Sequence, residues 1–118
     1  MPINSKKKGK VGELEVAHML NSDGFGARRS AQFCGNNVDG AADIVGLPYI
    51  HVEVKRVESL NVENAMEQAR RDHKSGFFPA VFHRRNNEKW KVTMDYTDWI
   101  QIYREYYSSR VLTDQQSR

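Results

Sequence analysis

The chain has 118 residues, 39% hydrophobic and 28% charged, with a formal net charge of +3. That length suits one domain with a single core, and no apolar run approaches the roughly 18 residues that a membrane span needs. The only cysteine, Cys34, excludes an internal disulfide and has no neighbours for a zinc cage; the lysine-rich N-terminus has no apolar segment after its charges, so no secretory signal is read and a cytoplasmic location is expected.

In chain order, the first predicted helix covers residues 8–22, with Val11, Leu14, Ala17 and Leu20 as its apolar stripe and Gly24 as its left-handed stop. A short strand over 25–30 follows, then a loop of small and polar residues over 32–41. Residues 42–47 and 49–56 read as the two strands of a hairpin broken at Gly46-Leu47-Pro48. The second helix opens on Asn61 as N-cap, carries Val62, Ala65, Met66, Ala69 and His73 on one face, and ends at Gly76. Its charges, Glu63 early and Arg70, Arg71 and Lys74 late, complement the helix dipole.

Two more strands, 80–84 and 90–94, are joined by the turn Arg85-Asn86-Asn87-Glu88. The helix between strands three and four places those two parallel. A third helix starts near Asp95 or Thr97 and carries Trp99, Ile100, Tyr103 and Tyr107, and the polar residues from about 111 to 118 are expected to fray. The predicted order is α-β-β-β-α-β-β-α, an α/β domain with one mixed central sheet flanked by helices. Trp90, Trp99, Tyr103, Tyr106 and Tyr107 are read as core or dimer-interface aromatics ahead of base-stacking ones.

The most informative segment is Ile50-His51-Val52-Glu53-Val54-Lys55. Its strict alternation is that of a half-buried strand, with Ile50, Val52 and Val54 on one side and His51, Glu53 and Lys55 on the other. Glu53 and Lys55 then lie about 7 Å apart along the chain. Asp43, at the start of the partner strand, reaches the same face by cross-strand pairing. Hard carboxylate oxygens bind Mg²⁺, and phosphodiester hydrolysis needs that ion, an oriented water and a positive charge near the transition state. Asp43 and Glu53 are the candidate ligands and Lys55 the candidate water-positioning, charge-offsetting group. Taken alone, a Glu-x-Lys on a strand more often marks a solvent-facing salt bridge. A third acid would come from the first helix, where periodicity leaves Glu13 and Glu15 open, one turned inward and the other a surface charge.

Basic residues cluster at Lys6, Lys7, Lys8 and Lys10, at Arg28 and Arg29, at Arg70, Arg71 and Lys74, and at Arg84 and Arg85. On one face they would track a phosphate backbone; scattered, they are ordinary solvated surface.

These segments together resemble the PD-(D/E)xK nuclease superfamily, and within it the archaeal-type Holliday junction resolvases and their phage-encoded relatives. The resemblance rests on Lys8-Gly9, Glu13 four residues past the glycine, Gly24-Phe25, Arg29-Ser30, Asp43-Ile44-Val45 and Glu53-Val54-Lys55. It covers the first 56 residues well and the rest by element order only. It implies a restriction-endonuclease-like fold and selects Glu13 over Glu15. It also implies Mg²⁺ or Mn²⁺ held by Asp43, Glu53 and Glu13, with the Val54 carbonyl as a further ligand. Ser30 becomes a phosphate contact, and Gln68 on the second helix either a site residue or a surface amide. Lys6, Lys7, Lys8, Lys10, Arg28, Arg29, Ser30 and Arg56 become DNA contacts, and His51 a neighbour of the site or a DNA contact.

Two departures stand out: Ala42 occupies the place of the superfamily's proline, and the long 31–41 loop carries Asp39, read first as turn-forming. The function implied is a metal-dependent, structure-selective endonuclease acting on DNA four-way junctions as a homodimer. The alternatives are another nuclease of the superfamily, of flap, nicking or restriction-like type, and a non-catalytic DNA-binding protein on the same scaffold.

Overall fold

The structure is a computed structural model that describes residues 5–33, 36–37 and 41–116. Cys34, Asp39, the side chain of Lys6, the first four residues of the basic arm and the last two of the tail lie outside the described residues.

Helix α1 (Ser5–Ser22) starts three residues before the predicted boundary, because lysine is a good helix former and nothing in Lys6-Lys7-Lys8 breaks the turn. It closes in a Schellman arrangement. The Phe25 N–H donates to the Leu20 carbonyl and the Gly24 N–H to the Asn21 carbonyl, both at 3.1 Å, with Gly24 at φ 98°. The Asn21 side chain then clasps the Ala27 backbone through its N–H (2.7 Å) and its carbonyl (2.9 Å). Those two devices consume residues 23–27, so β1 is only Arg28–Arg29 and not the full 25–30.

The predicted loop contains a two-rung ladder of its own, β2 (Gln32–Phe33) against β3 (Asn36–Asn37). The hairpin forms with a short first arm, β4 (Ile44–Val45), and a long second one, β5 (Ile50–Arg56). Helix α2 (Val62–Asp72) is capped as predicted, the Asn61 side chain accepting from the Asn64 N–H at 3.0 Å. It ends at Asp72, four residues before Gly76, since His73 is already extended (φ −71°, ψ 148°) and lies off the helical stripe. Strand β6 (Phe78–Arg84) includes Pro79 near its start, where a missing donor costs least. After β7 (Lys91–Met94), helix α3 (Tyr96–Gln116) runs through the stretch predicted to fray.

The main sheet has the order β1-β4-β5-β6-β7. Its pairs are antiparallel except β5 with β6, which run parallel from Ile50↔Phe78 to Arg56↔Arg84 across the α2 connection. The described residues therefore form an α/β fold with one mixed, open, five-stranded sheet and three helices. One face packs Val52, Val54, Ala80 and Phe82 against Val16 and Ala17 of α1. The other packs Val81 against Ala65, Met66 and Ala69 of α2.

Two expectations about facing are corrected. Strand β5 is buried on both faces, because α2 covers the side that carries His51 (4% exposed) and Glu53 (1%). In α1 the inward line is Gly12, Val16 and Ala17, while Val11 and Leu14 are exposed. The helix turns this way because Gly12 has no side chain: a Cβ there would stand 2.9 Å from the Arg56 Cβ. Glu13 and Glu15 flank that line on opposite sides, and both are half-buried, so neither is a plain surface charge. No helix among the described residues is long and apolar enough to cross a membrane.

Candidate acid site between β4, β5 and α1

The register Ile44↔Val52 sets Asp43 across from Glu53 on the opposite side of the sheet from those two apolar residues. Asp43 is held by three bonds. Its N–H donates to the Val52 carbonyl (2.8 Å), its carbonyl accepts from the Ser30 N–H (2.9 Å), and its Oδ2 accepts from the Val54 N–H (2.8 Å). Glu53 is fixed from the other side, its Oε1 lying 2.7 Å from His51 Nε2. His51 is thus a neighbour of the site, and its burial removes it as a DNA contact.

Burial first, then the Glu53 charge, lift the Asp43 carboxyl to about 7; Glu13 adds to the rise and the Val54 N–H opposes it. The three acids chosen from the sequence therefore share one electrostatic environment. An acid raised this far is a half-protonated group at neutral pH, in a setting that favours an added positive charge.

Glu13 faces an open cavity of about 490 Å³ lined with Arg29, Ser30, Ala31, Ala41, Ala42 and Asp43. Arg29 Nε lies 3.2 Å from Glu13 Oε1, so one cation already rims the acids. Lys55 is half-buried and pairs with no carboxylate among the described residues. It lines a separate groove of about 200 Å³ with Lys8, Gly9 and Arg56. Gln68 is half-buried on α2 and lines neither space.

The donor chemistry fits a hard divalent cation. Such ions commonly take one or two carboxylates and keep the rest of their shell as water and phosphate oxygen, and Asp43 with Glu53 supply that pair. Among the described residues no three His, Cys, Asp or Glu side chains are grouped to hold a metal ion.

Of the expected DNA contacts, Arg56 and Lys8 have internal partners, as do Arg70 and Arg84 of the remaining basic clusters. Arg56 and Arg84 end the paired strands β5 and β6, and their Nε atoms lie 3.3 and 3.4 Å from the Glu15 carboxylate without hydrogen-bond alignment. Trp90 Nε1–H donates to the same carboxylate (3.1 Å), and Arg84 sits 5.7 Å over the Trp90 ring. Arg70 forks onto Asp95 at 2.7 and 2.9 Å and reaches Glu63 at 2.9 Å, which holds the Asp95 carboxyl below its usual range. Lys8 pairs with Glu58 at 3.5 Å, while Lys7, Lys10 and Arg28 are exposed. The Glu15 network was missed from sequence; its signal is two arginines at equivalent ends of adjacent parallel strands, which shows only once the register Arg56↔Arg84 is known.

Compared with known proteins, the chain matches no family model, and no curated protein or solved structure is significantly similar to it.

Proposed function

We propose that the chain is a divalent-cation-dependent endodeoxyribonuclease of the PD-(D/E)xK type, with a restriction-endonuclease-like sheet, that cuts branched DNA in the cytoplasm. The observation that carries this reading is the Asp43–Glu53 pair: two carboxylates facing each other across a hairpin, one of them lifted to about 7 mainly by burial and by the other. Packing acids this way is costly for a pure DNA binder, whose phosphates they repel. It is useful for an enzyme that must hold a hard cation.

In this reading Asp43 and Glu53 hold Mg²⁺ or Mn²⁺, with Glu13 across the cavity. The ion, when bound, offsets charge on the scissile phosphate and activates water. His51 keeps the Glu53 carboxylate oriented, and the Val54 N–H does the same for Asp43. Ser30 and Arg29 at the cavity rim receive the DNA backbone. Lys55, two residues past Glu53 on β5 and lining the neighbouring groove, would orient the attacking water and offset negative charge in the transition state. Resolving a four-way junction takes two opposed nicks, so one site per chain implies a homodimer.

The experiment is a panel of synthetic four-way junction, flap, nicked duplex, plain duplex and single-stranded DNA, each with Mg²⁺ and with chelator. Preferential, chelator-sensitive junction cutting is the expected result, and no cutting of any substrate would reject the nuclease reading. The engagement of Arg56, Arg70 and Arg84 with carboxylates reduces the cationic surface for a large branched substrate. That favours, as second reading, a superfamily nuclease acting on a smaller flap or nick, which the same panel separates.

A further inference from the structure

Helix α3 differs from α1 and α2 in having no buried residue, although at 1.5 Å per residue it is about 31 Å long. Most helical stability in proteins comes from packing an amphipathic face against another surface, and α3 has no such cover among the described residues. What ties α3 to the body is near its start, where the Arg70 fork grips Asp95 and the Asp95 carbonyl accepts the Trp99 N–H at 2.9 Å. The radius of gyration is 16.2 Å and the long axis 59 Å; a compact chain of this length would have a radius of about 13.5 Å.

The sequence of α3 is not that of a solvated helix. With Tyr96 at position a of a heptad, Trp99 falls at d, Tyr103 at a and Tyr106 at d. The flanking e and g positions hold Ile100, Ile102 and Tyr107, with Ser109 as the exception. Thr97, Asp98, Gln101, Arg104, Glu105 and Ser108 fill b, c and f, so the opposite face is wholly polar through two heptads. The pattern stops at Arg110, which falls at a. The rings are ordered along the helix, Trp99 stacking on Tyr103 at 5.4 Å and Tyr103 on Tyr107 at 6.5 Å. The five aromatic residues are nevertheless 44–69% exposed. At the base of the helix the apolar surface continues into a groove of about 400 Å³ formed with Val92 and Met94 of the edge strand β7.

We infer that the aromatic face of α3 is the surface on which two copies of this chain pair. A heptad seam is self-complementary, because the same a and d layers meet when a copy is placed against itself. The area is also sufficient. Five aromatics of about 150–250 Å² each, roughly half exposed, offer on the order of 500 Å² per copy. With Ile102 on the same face and Val92 of β7 added from both copies, the total reaches the lower end of the range of about 1,200–2,000 Å² typical of stable protein pairs. The dimer accords with the two-site nuclease reading, but its evidence is α3 itself.

Sedimentation of the full chain, without DNA or metal, tests it. The wild type should run at twice the mass of a single chain, and Trp99→Ser with Tyr103→Ser should run as a monomer with an intact cooperative thermal transition. Arg104→Ser, on the polar face, should remain a dimer. A monomeric wild type at all concentrations, or a double variant that stays dimeric, would overturn the assignment. So would a monomeric wild type whose oligonucleotide binding, read by gel shift, is lost in Trp99→Ser with Tyr103→Ser, which would give the stripe to nucleic acid. A dimer that cuts no DNA leaves the interface standing and removes only the nuclease reading.

Discussion

Strand β5 hides a carboxylate, with Glu53 at 1% exposure, while α3 shows solvent a row of aromatic rings. Each reverses the usual sorting of side chains, and each does so within a segment whose local pattern is regular. In β5 the reversal is compensated inside the chain, by His51 and by the bonds that pin Asp43. In α3 the compensation among rings is only local, between neighbours on the same helix. The contrast separates two ways of holding an unusual residue: buried charge balanced by partners inside the chain, and exposed rings balanced only by their neighbours on one helix.

The sharpest way to break this contrast is to remove the charges of the acid site. Asp43→Asn and Lys55→Ala should each lower Mg²⁺-dependent cutting by roughly a thousandfold while DNA binding, read by gel shift, persists. Normal cutting by either variant would remove those residues from the site, and the α3 pairing would be unaffected.

The next largest effect concerns stability. An acid raised to about 7 supports the fold only while protonated: its contribution is complete below the ordinary value of 3.8 and is lost as pH climbs through about 7. In chelator, the melting temperature should therefore fall between pH 5 and pH 8, and fall less in Asp43→Asn, whose amide oxygen can still accept from Val54. At pH 8, saturating Mg²⁺ should raise the wild type by roughly 8 °C and leave Asp43→Asn unmoved. Equal responses of the two proteins would count against a cation at Asp43.

A smaller pair of effects compares the two regions through their ion pairs. Glu15→Gln leaves Arg56 and Arg84 facing each other without their anion and should cost about 2 kcal/mol in urea unfolding, below the fully buried case because both guanidiniums keep some solvent. Arg70→Ala, which frees α3 at its base, should leave the urea midpoint of the body nearly unchanged while lowering helical ellipticity. A larger loss of body stability from Arg70→Ala than from Glu15→Gln would mean that α3 is part of the core.

What the sequence disclosed follows from which physical signals are local. The Asn61 cap, the alternation of β5 and the parallel β5–β6 pairing were all legible, because each depends on residues close in the chain or on one short connection. The facing of α1 was not, since Gly12 presses inward by having no side chain, and an apolar-periodicity reading gives glycine no weight. The burial of Glu53 was hidden for a related reason: alternation assigns polar residues to solvent, and only the crossing of α2 over that face reverses it. Glu13 and Glu15 could not be told apart because both are half-buried, one turned to Asp43 and Arg29, the other to Arg56 and Arg84. The last turns of α3 were read as frayed from their polar side chains, although no glycine or proline interrupts Tyr96–Gln116.

The parallel pairing of β5 with β6 also sets an order of events during synthesis. Asp43 and Glu53 are ten residues apart, so the β4–β5 hairpin can bring them together as soon as both have left the ribosome. The partner strand β6 and the covering helix α2 arrive later, with β6 ending at Arg84. Until then Asp43 remains hydrated and ionised at little cost. Desolvation of Asp43 coincides with docking of the crossover, so proton or cation uptake there is coupled to formation of the β5–β6 seam. Nascent chains folding in acidic or Mg²⁺-rich buffer should close that step faster than chains in alkaline chelator.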